Sequence, residues 1–107
     1  KIKEMDGIIQ EDLTKCYVCG CSGNLHKHYI IYGTANRKNS EEYGLTVMLC
    51  PAHHNMSNNG VHFNKKLDLK LKQLAEKMWI EKFASKDVSY EDKIEEFIDV
   101  FGRNYLD

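Results

Sequence analysis

Cys16-Tyr17-Val18-Cys19-Gly20 and Cys50-Pro51-Ala52-His53-His54 flank Leu25-His26-Lys27-His28-Tyr29-Ile30-Ile31-Tyr32, and how these three pieces are read decides the fold. Each flanking piece carries two soft ligands with two residues between them. That is the reach of one knuckle turn, and two such pairs close a tetrahedron around Zn²⁺. A glycine directly after Cys19 suits a tight turn whose backbone N–H groups face the thiolates. Cys21 is too close in sequence to Cys19 to complete a tetrahedron beside Cys16, which leaves it as a small packing residue or a free thiol. An even number of cysteines also admits disulfides. The Cys-x-x-Cys spacing and the abundance of histidine favour metal binding in a reducing cytosol instead.

Moving outward from the ligands, residues 25–32 form a β-branched and aromatic run that predicts a strand. His26 and His28 alternate onto one face of it. The following Gly33-Thr34-Ala35-Asn36-Arg37-Lys38-Asn39-Ser40 is polar and rich in turn formers, and predicts a loop. Residues 44–49 predict a second strand with Leu45, Val47 and Leu49 on one face, so that strand, loop and strand make a hairpin ending at Cys50. Pro51 is suited to the first position of a helix, where its missing N–H costs nothing. That helix carries His53, His54 and, one turn on, Asn58, with Gly60 ending or interrupting it. From 65 to 83, Leu67, Leu71, Leu74 and Met78 recur at helical spacing with lysines opposite them. Ser89, with Asp92 three residues on, reads as the N-cap of a last helix whose stripe is Tyr90, Ile94, Phe97, Ile98 and Phe101, closed by Gly102. Residues 1–15 read as an extended lead-in with one helical turn near 11–15.

With 107 residues, of which 42% are hydrophobic and 29% charged, the chain has the composition of one globular domain in which a structural metal adds a substantial share of the stability. No run approaches the roughly 18 apolar residues of a membrane span, and no signal-peptide pattern is present. A net charge of −1 hides an asymmetry: residues 26–86 hold ten Lys/Arg against five Asp/Glu, and residues 87–107 hold two against seven. A basic middle beside an acidic tail is a footprint for a polyanion.

A hairpin followed by a helix, with histidine on the first strand and on the helix, resembles the HNH, or ββα-metal, nucleases, and in particular the small cysteine-rich HNH proteins of phages and prophages. The resemblance rests on the Cys16/Cys19 pair, on residues 25–30, on Gly33-Thr34-Ala35-Asn36-Arg37, on Leu49-Cys50-Pro51-Ala52-His53-His54 and on Gly60-Val61-His62. It implies an α+β fold with a zinc-stabilised ββα-metal core over 16–62 and supporting helices at 64–83 and 89–101. It also implies two metals. One is a structural Zn²⁺ held by Cys16, Cys19, Cys50 and His53, the last replacing a more usual cysteine. The other is a catalytic Mg²⁺ or Mn²⁺ beside the hairpin, with His28 and His54 as candidate ligands and Asn58 or His62 as a further one. The implied partner is DNA, contacted through Arg37, Lys38, Lys65 and Lys66, in a bacterial host's cytoplasm.

In the strand, family members pair a metal ligand with an adjacent histidine that acts as general base, and this chain has His28-Tyr29 there. Because a phenol has a reference pKa of about 10, it is a poor base at neutral pH. Three expectations follow: His28 is itself the base and the metal is held from the helix, Tyr29 marks a natural loss of activity, or Tyr29 is an introduced substitution. His26 reads as a partly exposed strand residue rather than a ligand. The function expected is therefore a metal-dependent DNA endonuclease. The alternatives are a non-catalytic zinc-stabilised DNA-binding or assembly module on the same scaffold, and a protein-binding domain using the acidic last helix. The apolar stripe of that helix serves either the core or a homodimer contact.

Overall fold

The computed structural model describes residues 8–10, 12–54 and 64–106. Along this chain lie β1 (His26–Tyr29), α1 (Thr34–Tyr43), β2 (Thr46–Leu49), α2 (Pro51–His54), α3 (Lys65–Lys82) and α4 (Tyr90–Phe101). The class is α+β. β1 and β2 pair antiparallel, with His26 opposite Leu49 and His28 opposite Val47. Val47 and Leu49 are buried, as their alternation predicted, and α2 packs on the same two strands. Both strands are shorter than the runs that announce them.

The expected loop after β1 is a correction: residues 34–43 form a helix. Its polar side chains, which read as turn formers, make tertiary contacts that the loop reading does not anticipate. The Ser40 hydroxyl donates to the Ile31 carbonyl (2.6 Å) and accepts from the Ile31 N–H (3.2 Å), closing the segment between strand and helix. Asn36 and Asn39 donate to the carbonyls of Phe101 (2.9 Å) and Val100 (3.0 Å), satisfying C-terminal groups of α4. Gly44, left-handed at φ 73°, ends α1 and turns the chain into β2.

α3 starts at Asn64, whose side chain accepts from the Leu67 N–H at 3.1 Å, and α4 starts at Ser89, which accepts from the Asp92 N–H at 3.1 Å as its sequence predicts. The inward face of α3 is rotated from the expected stripe: Leu71, Ala75, Glu76, Trp79 and Ile80 are buried, while Leu74 and Met78 are half-buried. Trp79 organises the interior, its ring 5.7 Å from Phe97 and 5.8 Å from Tyr43 between centroids. On α4 only Phe97 and Phe101 are fully buried, and Tyr90 is exposed. In place of the helical turn expected near 11–15, Asp12 accepts from the Thr14 N–H at 2.9 Å in a short Asx turn. Gln10 and Tyr17 pair with the backbone of Met48 (2.7 and 2.8 Å), which lays the lead-in and the first knuckle along β2 beside Cys50. Among the described residues no helix is long and apolar enough to cross a membrane.

Candidate metal centre and adjoining histidine pocket

The knuckle closes through the Gly20 N–H donating to the Cys16 carbonyl at 2.9 Å, with Gly20 at φ 83°. This turn meets the start of α2, where the His53 N–H donates to the Cys50 carbonyl at 3.0 Å. Cys16, Cys19, Cys50 and His53 converge there, their four ligand atoms all within 4.8 Å of one another. A tetrahedral zinc with bonds of about 2.3 Å to sulfur and about 2.0 Å to nitrogen requires S···S near 3.8 Å and S···N near 3.5 Å. The observed spacings are 3.7 Å for Cys19 Sγ to Cys50 Sγ, 3.3 Å for Cys50 Sγ to His53 Nδ1 and 3.9 Å for Cys16 Sγ to His53 Nδ1. The donor set fits zinc in identity and number, and these three separations lie within about 0.4 Å of the tetrahedral ones.

The electrostatics of the cluster point the same way. Burial opposes ionisation of Cys16, yet backbone N–H groups of Cys19, Cys50 and Val18 aim at its sulfur and bring the thiol down to about 6. For Cys19 the Cys21 N–H favours the thiolate, but desolvation and the neighbouring sulfurs of Cys21, Cys50 and Cys16 outweigh it and push the thiol up to about 11. One thiolate forms readily and a second resists until positive charge arrives beside it. A divalent cation supplies that charge. Cys21 is exposed and lies outside the cluster.

His53 is followed directly by His54, so the centre that anchors one positions the other. His54 sits at the end of α2 against the β1 face that carries His26 and His28. Its ring lies 5.2 Å from that of His26 and 5.3 Å from that of His28, and His26 Nδ1 is 3.1 Å from His54 Nδ1. His28 is buried, 2% exposed, and His26 is exposed. The alternation of the strand thus delivers both histidines to one place, including His26, which the sequence presents only as an exposed strand residue.

Beside them opens a cavity of about 410 Å³ lined by Lys27, His28, Tyr29, Tyr32, Arg37 and His54. No carboxylate of the described residues lines it. Tyr29 lies under the Arg37 guanidinium at 4.9 Å and near the Lys27 ammonium at 5.8 Å. Lys27 donates to both oxygens of Glu41 (2.8 and 3.0 Å), which, with the Tyr29 hydroxyl and against some burial, holds the Glu41 carboxyl below the usual range. Arg37 and Lys38 lie exposed on α1 rather than in a loop, and of the two only Arg37 reaches the cavity. Lys65 and Lys66 are exposed in the first turn of α3; Lys65 lines a second cavity and Lys66 a third. Asn58 and His62 fall outside the described residues. Lys27 and Tyr32 are cavity residues that sequence reasoning passed over. Alternation puts Lys27 on the strand face opposite His26 and His28, so the sequence carried no signal that it shares a cavity with His28.

Compared with protein-family models, with curated proteins and with solved structures, the chain matches none.

Proposed function

We propose that this chain is a zinc-stabilised, metal-dependent DNA endonuclease of the ββα-metal kind. The observation that carries the reading is the meeting of His28 and His54, from β1 and α2, at a cavity lined with cations and tyrosines directly beside a Cys₃His centre. In this reading Cys16, Cys19, Cys50 and His53 hold Zn²⁺ and thereby fix the start of α2, so that His54 is presented to the strand.

His54 holds a second ion from the helix side, with Asn58 and His62 as further candidates for it. When bound, that ion offsets the charge developing on the scissile phosphate and the leaving oxygen. The described donors are imidazole nitrogens, and Mg²⁺ demands oxygen ligands. The donor set therefore favours Mn²⁺ or a later first-row ion over Mg²⁺. His28, as a neutral imidazole, accepts the proton of the attacking water near neutral pH. Arg37 lines the same cavity and binds the phosphate, while Lys27 is held by Glu41.

Plasmid nicking in Mg²⁺, Mn²⁺, Ni²⁺ or EDTA tests this. Cleavage in Mn²⁺ that falls by about 100-fold or more in His54→Ala is the expected result. One observation favours a second reading, a DNA-binding module with lost or weakened chemistry: Tyr29, at the position where the resemblance puts the base, is engaged by Arg37, Lys27 and Glu41. If Tyr29→His raises nicking by about 100-fold or more, the chain is a nuclease lacking its base. DNA bound but uncut by both proteins in every metal would leave the module reading standing and end the enzyme one.

A further inference from the structure

Tyr32 forms a wall of two cavities. One is the histidine pocket. The other, of about 420 Å³, lies between α3 and the segment after α4 and is lined by Tyr32, Lys65, Asp68, Lys72, Arg103 and Tyr105. Its charges are not equivalent. Lys72 is committed: it pairs with Asp68 at 2.8 Å and lies 4.2 Å from the centre of the Tyr32 ring and 5.5 Å from that of Tyr105. Asp68 is committed as well, accepting from the Tyr32 hydroxyl at 3.1 Å. Lys65 and Arg103 are exposed, and neither pairs with a carboxylate among the described residues. Among the described residues, the cleft thus presents two cations without a carboxylate partner on a neutralised, aromatic floor.

The floor is built with care at the chain's end. Glu76 is fully buried on α3, and its Oε1 accepts from the Tyr105 N–H at 2.7 Å, while Gln73 donates to the Tyr105 carbonyl at 3.0 Å. These two bonds hold the tail against α3 and set Arg103 over the Tyr105 ring at 5.1 Å. Residues 87–107 carry an excess of Asp and Glu, yet Arg103 lines the cleft together with Lys65 and Lys72.

We infer that the Lys65/Arg103 cleft is a second phosphodiester-binding site, which takes the nucleic-acid backbone as it leaves the histidine pocket across Tyr32. This inference rests on the nuclease-type reading for its ligand, and it assigns to the cleft a function in binding rather than in chemistry. Phosphate contacts of this kind set register and affinity and carry no sequence information. Each one made by a cation releases counterions and steepens the salt dependence of binding.

The test is binding of a fluorescein-labelled DNA duplex to zinc-loaded protein without added Mn²⁺, between about 50 and 200 mM salt. The variants are Lys65→Ala/Arg103→Ala and, as a control, Lys77→Ala/Lys86→Ala. The control pair lines a different lysine-bearing cleft between α3 and α4 that shares no residue with the histidine pocket. All four side chains are exposed, and unchanged melting verifies the fold. The expected result is a log–log salt slope shallower by about 1.8 in the first variant and unchanged in the control. Equal losses in both variants, or an unchanged slope in the first, would overturn the cleft while leaving the nuclease reading intact. A native protein that binds no DNA at this salt overturns both.

Discussion

At the scale of single residues, Glu76 shows how a buried charge is put to use. Desolvation raises its carboxyl above the ordinary value of 4.5, and the backbone N–H groups of Tyr105 and Leu106 offset only part of that rise. A carboxyl whose native pKa exceeds its unfolded one binds more protons in the folded state. Its stabilising contribution is complete below about 4.5 and declines as pH rises through the native value. Glu76→Gln keeps an acceptor for the Tyr105 N–H and cannot ionise. Urea unfolding as a function of pH is therefore expected to show wild type losing stability relative to Glu76→Gln as pH rises above about 4.5, until Glu76 is fully ionised. A difference independent of pH would show that the burial of this carboxyl carries no proton linkage. The heptad-like stripe 67, 71, 74, 78 gave no sign of Glu76, because a glutamate at that spacing reads as solvated surface. Only the arrival of the C-terminal segment turns it inward.

At the scale of elements, α1 is the clearest divergence between sequence and structure. Its composition lacks an apolar stripe, with Tyr43 the one large ring that it sends to the core, where it meets Phe83 at 4.9 Å and Trp79. Polar residues otherwise found in turns become helical here because α4 offers Asn36 and Asn39 carbonyls to cap. Each amide–carbonyl bond is worth about 0.5–1.5 kcal/mol. Asn36→Ala and Asn39→Ala are each expected to destabilise by that amount in chemical denaturation, with circular dichroism retaining the helix. A change under about 0.3 kcal/mol in both would mean that α4 is held by its aromatic face alone. α3 and α4, by contrast, were legible from their strong apolar periodicity, α4 together with its Ser89 cap, whereas the Asn64 cap of α3 was not read from the sequence. The buried face of α3 is shifted by one residue, about 100° around the helix, from Leu74 and Met78 to Ala75 and Trp79, which brings Trp79 onto the rings of Phe97 and Phe101.

At the scale of the whole molecule, two supports hold the chain. With zinc bound as proposed, the Cys₃His cluster ties the knuckle to α2 at one end of the strands, and the Trp79–Phe97–Phe101 interior ties α3 to α4 and α1. Leu45, Val47 and Leu49 join them, since Leu45 and β2 are buried in the core and β2 ends one residue before Cys50. Removal of zinc by a chelator is therefore expected to lower the melting temperature and to speed amide exchange first in residues 16–29 and 46–54, with α3 protected longest. Uniform loss of protection would show that metal and aromatic core form one cooperative unit. A protein that carries no zinc when purified in its presence would sink the assignment of the centre.

The sequence alone determined the membership of the Cys16, Cys19, Cys50 and His53 cluster, the two strands, the last two helices and the shared face of His26 and His28, because ligand spacing, two-residue alternation and capping are local and act within one or two turns of chain. Tertiary structure decided the rest: that residues 34–43 are helical, that His54 closes on both strand histidines, that Tyr32 joins two cavities and that Arg103 belongs to a basic cleft instead of the acidic tail. Each of these depends on contacts between segments distant in the chain, where a polar side chain's role follows from the partner brought to it rather than from its neighbours in sequence.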